Sequence, residues 1–408
     1  MPRIGGRTRL TRRALIGTLG ATLAAPLVAR AQRTPLLSVG VVLPAGTDPA
    51  ARLARLGAEI AGEMLARRGR PLALRFAAAS GAEAAQRVAL RLAEDGAALL
   101  VSACDNIETE AVLGIAERRA VPVLAARATG PRLTDRGARL IVRTAPSLSQ
   151  LLGRGLGLLH DLNTGAGITP PRRFALLHST DEPGLAMRQT LAALLPTMMP
   201  EHLLATIPVA PPWETADAPV MAALQTVQPE VIVFAVPPPA AAPCLNAILA
   251  NGVRPYGVIS FGVGGLAVPE VLALADAGEG HVTFGPWPDP RSPVTAEARS
   301  LFARHGGGPG FDLAQGELGL AVDCLLLAGE AAARTPGARG RALANALRAT
   351  TLAQKMMRGP PLRFDARGQN LAMPSVALQN RAGRPRVVLP SEWAEITPAW
   401  PNTLLSRS

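Results

Sequence analysis

The strongest constraint on this chain is a rhythm. Short apolar runs alternate with longer segments whose apolar residues recur at helical spacing, and the pattern runs through twice. The first pass opens with Leu36–Leu43 (LLSVGVVL), a continuous apolar run that reads as a strand buried on both faces. A helix over Asp48–Arg68 follows, then a strand at Leu72–Phe76, a helix over Ala82–Asp95 and a strand at Ala97–Ser102. A helix over Ile107–Arg119 and a strand at Val121–Ala125 close the pass. The rhythm restarts after Arg143 with helices over Gln150–Leu162, Pro183–Leu195 and Ala240–Ala250. Its strands are Phe174–His178, His202–Val209, Val231–Val236, Gly257–Phe261 and Val282–Phe284, with a further helix between the second and third. Strands alternating with helices predict parallel sheets with a helix layer on each face, so the fold class is α/β with two doubly wound lobes. Helices over Phe311–Ala333 and Arg339–Ala349 follow, then a short strand at Arg363–Asp365. Strands at Ser375–Leu378 and Arg386–Leu389 are joined by Asn380-Arg381-Ala382-Gly383, a hairpin signal. The segment after Trp393 reads as irregular.

Composition agrees with two cores. The chain has 408 residues, 48% of them hydrophobic and 18% charged, which excludes disorder and exceeds what one ordinary core organises. Aromatic residues make up 3%, with Tyr256 the single tyrosine, so stacking platforms for single-stranded nucleic acid are lacking. The formal net charge of +12 is not evenly spread. Residues 1–31 carry Arg3, Arg7, Arg9, Arg12, Arg13 and Arg30 and no acid, so removing them halves it. The remainder is a mildly basic, arginine-rich surface rather than a nucleic-acid interface.

That first segment is an address. A basic stretch to Arg13 precedes Ala14–Ala29, which is mostly apolar but shorter than the roughly 20 residues of a membrane-spanning helix. Ala29-Arg30-Ala31 is a small-x-small cleavage pattern, so a signal peptide over 1–31 is expected, with Gln32 the first mature residue. Thr11-Arg12-Arg13-Ala14-Leu15-Ile16 resembles the twin-arginine export signal, which a translocation receptor reads through Arg12 and Arg13. The mature protein is therefore expected outside the cytoplasm, in the periplasm.

Catalytic and cofactor motifs are missing. Gly262-Val263-Gly264-Gly265 does not complete a dinucleotide loop, and no phosphate-binding loop or nucleophile elbow occurs. The five histidines, His160, His178, His202, His281 and His305, have no ligand spacing, so neither metal nor cofactor is expected. Two open α/β lobes place the carboxyl ends of their strands opposite each other, where a small ligand binds and hinge closure can enclose it.

Four segments, in order and spacing, resemble the type I periplasmic binding proteins, and more narrowly the branched-chain amino acid and amide receptors of ABC importers. They are Leu37–Leu43, Ala128–Thr134 with Leu140–Thr144, Phe174–His178 with Gly184-Leu185-Ala186, and Gly359–Gly368 with its G-x-x-x-F-D-x-x-G pattern. The resemblance implies three chain crossings between lobes, near 143–148, 283–288 and 357–363. Lobe 1 would then comprise 35–145 and 286–360, lobe 2 would comprise 146–285 and 361–395, and 396–408 would be an irregular tail. It also implies a monomeric receptor handing a small solute to an inner-membrane permease with a cytoplasmic ATPase. A sensor for a membrane signalling partner, or an enzyme using the same cleft, are the alternatives.

The resemblance further implies a ligand site. Asp105-Asn106 stand where relatives present hydroxyl residues at a helix N-terminus; Asn106 can donate to a carboxylate and Asp105 can accept from an ammonium. Both also read as helix caps. Arg127-Ala128-Thr129 form the next site loop, with the Thr129 hydroxyl as donor and Arg127 as an anion clamp or an interlobe arginine. The family's ammonium-gripping acid falls at Gly262, its tyrosines fall at Ser179–Pro183 and near Pro237, and all are missing. Asp181, Glu182 or Asp105 would have to replace the acid, unless the ligand is not an α-amino acid. Weak leucine binding follows, with preference for an amide, an amino-acid derivative or a carboxylate. Cys104 matches one half of a disulfide found in some relatives, but its partner position holds Ser80, so a buried thiol is expected there as at Cys244 and Cys324.

Overall fold

The computed structural model describes residues 36–46, 49–135, 137–211, 218–308 and 310–402. The export signal, with Arg12, Arg13 and the cleavage residue Ala31, lies outside them. The first pass of the rhythm forms β1 (Leu37–Pro44), α1 (Pro49–Arg67), β2 (Leu72–Ala79), α2 (Gly81–Glu94), β3 (Leu99–Ser102), α3 (Asn106–Arg119), β4 (Val123–Ala125), a single turn α4 (Arg132–Asp135) and β5 (Ile141–Arg143). The second forms α5 (Leu148–Gly165), β6 (Arg173–Ser179), α6 (Glu182–Met198), β7 (Leu203–Val209), α7 (Ala218–Val227), β8 (Val231–Ala235), α8 (Pro238–Ala250), β9 (Gly257–Phe261), a short α9 (Pro269–Leu272) and β10 (Val282–Gly285). Then come α10 (Pro293–Arg304), α11 (Phe311–Arg334), α12 (Gly340–Ala349) and the hairpin β11 (Val376–Arg381) and β12 (Arg384–Leu389).

Two sheets result. The first has the order β2-β1-β3-β4-β5 and is parallel throughout. The second has the order β12-β11-β10-β9-β8-β6-β7, parallel except for the hairpin added at one edge. The apolar runs work because both faces of each sheet are covered. In β1, Val39, Val41 and Leu43 enter a core with α1 and α11, while Val42 between them enters the opposite core with α2 and α3. In β6, Phe174 and Leu176 face α5 and α6, and Ala175 and Leu177 face α7 and α8.

Two sequence expectations need correcting. Helix α10 was not expected, yet its signals are present: Ser292 accepts from the Val294 N–H at 3.2 Å, Pro293 occupies the first turn, and Val294, Ala298, Leu301 and Phe302 share one buried face. Conversely, the strand expected at Arg363–Asp365 is a single bridge between Phe364 and Asn370.

The segments linking the sheets are tied by buried polar groups. Arg143 is 1% exposed; its Nε donates to Gln369 Oε1 at 2.6 Å and its guanidinium also reaches Thr134 Oγ1 at 3.0 Å. Burial pushes its pKa down to about 10. Asp323, inside α11, accepts from the backbone N–H groups of Met356 (2.5 Å) and Met357 (3.0 Å). The G-x-x-x-F-D-x-x-G segment closes on Asp365, whose Oδ1 accepts from the N–H groups of Arg367 (2.9 Å) and Gln369 (2.8 Å). Gly368 has φ +81°, and a Cβ there would sit 2.3 Å from the Ile141 carbonyl oxygen, so glycine is required twice over. Residues 395–402 lack regular structure but are anchored: Trp400 is buried edge-on against Tyr256 and donates to Asn163 Oδ1 at 2.9 Å.

Candidate functional site

A cleft opens at the carboxyl ends of the parallel strands, where open α/β sheets bind small ligands. Asp105 and Asn106 follow β3, Arg127, Ala128 and Thr129 follow β4, and Gly262 follows β9; all six line the cleft. Asp181 and Glu182 do not. Of that loop only Pro183 reaches the lining, because Asp181 turns back to cap α6, accepting from the Gly184 N–H at 3.2 Å.

Glu182 is spent on a contact between the two sides of the cleft. Asn106 Nδ2 lies 3.2 and 3.1 Å from its two carboxylate oxygens. Asn106 Oδ1 in turn accepts from the N–H groups of Thr129 (3.0 Å) and Gly130 (2.7 Å). The approach is close: a Cβ on Gly130 would stand 2.9 Å from Asn106 Cγ. The amide that the sequence offers as a carboxylate donor is thus already hydrogen-bonded within the protein. Burial pushes the Glu182 pKa up against the lowering effect of Asn106, with Glu110, Asp105 and Asp181 adding to the rise.

Asp105 does not use its side chain as a cap on α3. Its Oδ1 lies 3.4 Å from Arg127 Nε, and Glu317 Oε1 lies 3.8 Å from the same atom. Glu317 belongs to α11, nearly two hundred positions along the chain, and the sequence reading missed it. In the sequence it is one of four carboxylates on that helix, with Asp312, Asp323 and Glu330, and its spacing does not set it apart.

The opposite wall is apolar. Leu148 and Leu151 come from α5, Ala186 and Met187 from α6, and Phe261 ends β9. These are buried or half-buried, and Phe261 is backed by Phe284 at a ring-centroid distance of 5.6 Å. Trp287 packs away from the cleft with Val376, Leu378 and Val387. His178 is buried with Nδ1 2.8 Å from the Ser179 carbonyl, and the three cysteines are buried and free. Among the described residues no helix is long and apolar enough to cross a membrane.

The arrangement suits a small solute with a polar head against the first sheet's loops and an apolar body against the second's. Solved structures share this fold. A Silicibacter pomeroyi protein provisionally classed as a branched-chain amino acid ABC transporter superposes with a TM-score of 0.75 at 19% identity, covering 90% of this chain and 100% of its own. A leucine binding protein from Thermotoga maritima gives 0.71 at 15% identity, covering 86% and 97%. An R. palustris solute binding protein, solved with benzoate, gives 0.70 at 17%, covering 89% and 98%. None of the curated proteins matches the chain. The model of one family, described as periplasmic binding protein, matches residues 17–383, most of the length, and the chain therefore belongs to the periplasmic binding protein family.

Proposed function

We propose that this protein is the exported solute receptor of an ABC importer, closing two lobes over a small amino-acid-like, amide or carboxylate solute. The observation that carries the reading is the two-sided cleft: ionisable and hydroxyl groups at the ends of β3 and β4, apolar groups from α5, α6 and β9. The Thermotoga maritima neighbour is named for leucine and the R. palustris one was solved in complex with benzoate, solutes that also join a polar head to an apolar body. Lobe 1 comprises 35–145 and 286–360 and lobe 2 comprises 146–285 and 361–395, hinged where the chain crosses near 143–148, 283–288 and 357–363. Asp105, Arg127, Ala128, Thr129 and Gly262 contact the solute. Export through the twin-arginine route, read at Arg12-Arg13, and cleavage after Ala31 deliver a monomer to the periplasm, where it meets an inner-membrane permease with its cytoplasmic ATPase. The protein holds its solute without converting it.

Mass spectrometry of protein purified from the periplasm tests this. A retained small solute should be released intact on unfolding and should raise the unfolding temperature when added back, because it binds only the folded state. X-ray scattering should record a smaller radius of gyration with solute. Chemical conversion of the solute by the purified protein would rule the receptor reading out.

A further inference from the structure

We propose that the Asn106–Glu182 contact is a latch across the cleft, holding its two sides together when no solute is bound. This rests on the receptor reading above, in which the two sides move, and adds a control on that movement. The partners belong to different sheets. Asn106 opens α3, whose Val112 and Ala116 share a core with Leu100 and Val123 of the first sheet. Glu182 opens α6, whose Leu191 and Leu195 share a core with Phe174 and Leu176 of the second. Their side chains meet at 3.1 and 3.2 Å, the Asn106 amide donating to the Glu182 carboxylate.

Each partner is fixed to its own side. Asn106 Oδ1 is held by the Thr129 and Gly130 N–H groups of the loop after β4, which orients its amide. Asp181 caps α6 through the Gly184 N–H and itself accepts from the Ser179 hydroxyl at the end of β6. A Cβ on Gly184 would stand 2.2 Å from the Ser179 carbonyl oxygen, so the start of α6 lies hard against β6. None of these anchors joins the two sheets. Opening therefore separates Asn106 from Glu182 and leaves both anchors intact. The latch is also built to release. Glu182 is half-buried, and the negative charges of Glu110, Asp105 and Asp181 oppose its own. A hydrogen bond to a charged group, weakened in this way, changes the ratio of closed to open protein by about tenfold. Solute enters only the open fraction, and a bound solute leaves only after the same contact breaks. The latch thus slows entry and release alike and sets residence time more than affinity.

Distances between spin labels test the latch without any solute. Arg118→Cys on α3 and Gln189→Cys on α6 replace exposed residues, and the three native cysteines are buried, so labels attach at the two new thiols. Pulsed electron resonance on the purified mature protein, dialysed until mass spectrometry detects no retained solute, should record a main short distance and a minor longer one. Adding Glu182→Ala should lower the ratio of short to long by about tenfold. Glu182→Gln, which keeps an amide oxygen for Asn106 without the charge, should lower it less, and it keeps the test open if Glu182→Ala fails to fold. Two distances in unchanged proportion in both variants would overturn the latch and leave the receptor reading intact. A shift toward the short distance in either variant would overturn it in the same way. One unchanged short distance in every protein would overturn the latch and count against moving lobes as well.

Discussion

The two sides of the cleft are built by different physics. On the first side, hydrogen bonds fix the backbone: Asn106 pins the loops after β3 and β4 by collecting the Thr129 and Gly130 N–H groups, and Asp323 of α11 collects those of Met356 and Met357. On the second side the wall is held by close packing. Gly155 of α5 lies so near Phe261 and Phe284 that a Cβ would approach their side chains to 2.5 and 2.9 Å. The contrast teaches why the polar head and the apolar body of a solute are sorted to opposite sides. Charged groups need fixed polar partners to stay in place when partly buried, and apolar groups need only complementary surface.

Substitutions on each side can break that contrast. The largest effect should come from Phe284→Ala, which empties a fully buried site behind Phe261; we expect a loss of about 4 kcal/mol in denaturant unfolding. A cost below that of any polar change on the first side would refute a packing-held second wall. Asp323→Ala should follow at about 3 kcal/mol, since two buried N–H groups lose their acceptor. Asp323→Asn, which keeps one acceptor, should recover part of it.

Acid should single out the second side. His281, immediately before β10, is buried, and burial pushes its imidazole pKa from 6.5 down to about 4. The unfolded chain binds a proton between those values while the folded one does not, so stability falls as pH drops from 6.5 to 4. The loss should reach about 3 kcal/mol. A His281→Gln protein should lack this slope, and an unchanged slope would place the acid sensitivity elsewhere. Asn106→Ala should cost about 2 kcal/mol by freeing two backbone donors and the Glu182 carboxylate, and it should widen the closed cleft in scattering measurements.

The lobes were legible because their signals are local. Leu36–Leu43 and Gly257–Phe261 are apolar runs bounded by breakers, and their strand positions follow from burial on both faces. The family segments were legible for the same reason: Asp365 and Gly368 form one turn within a few residues. Asp105, Arg127, Thr129 and Gly262 were found in the cleft because loops after parallel strands must point there. Helix α10 was overlooked although its cap and buried face were present, its apolar residues being spread among charged and polar ones.

What the sequence could not settle is which polar groups are already used. Asn106 and Glu182 are separated by 76 positions, and only the packed chain makes them partners. Asp181 and Glu182 stand beside cleft residues in sequence, yet the start of α6 turns one into a cap and the other toward Asn106. Glu317 lies on a helix whose apolar composition marks it as core, and it reaches the cleft because α11 packs along α1 beneath the first sheet. The sequence by itself determined the alternation, the two sheets and the loops that carry the site, since these follow from residue-by-residue hydrophobicity and turn chemistry. The tertiary structure decided the charge balance of the cleft, because that balance depends on distances of a few ångströms between residues from distant parts of the chain.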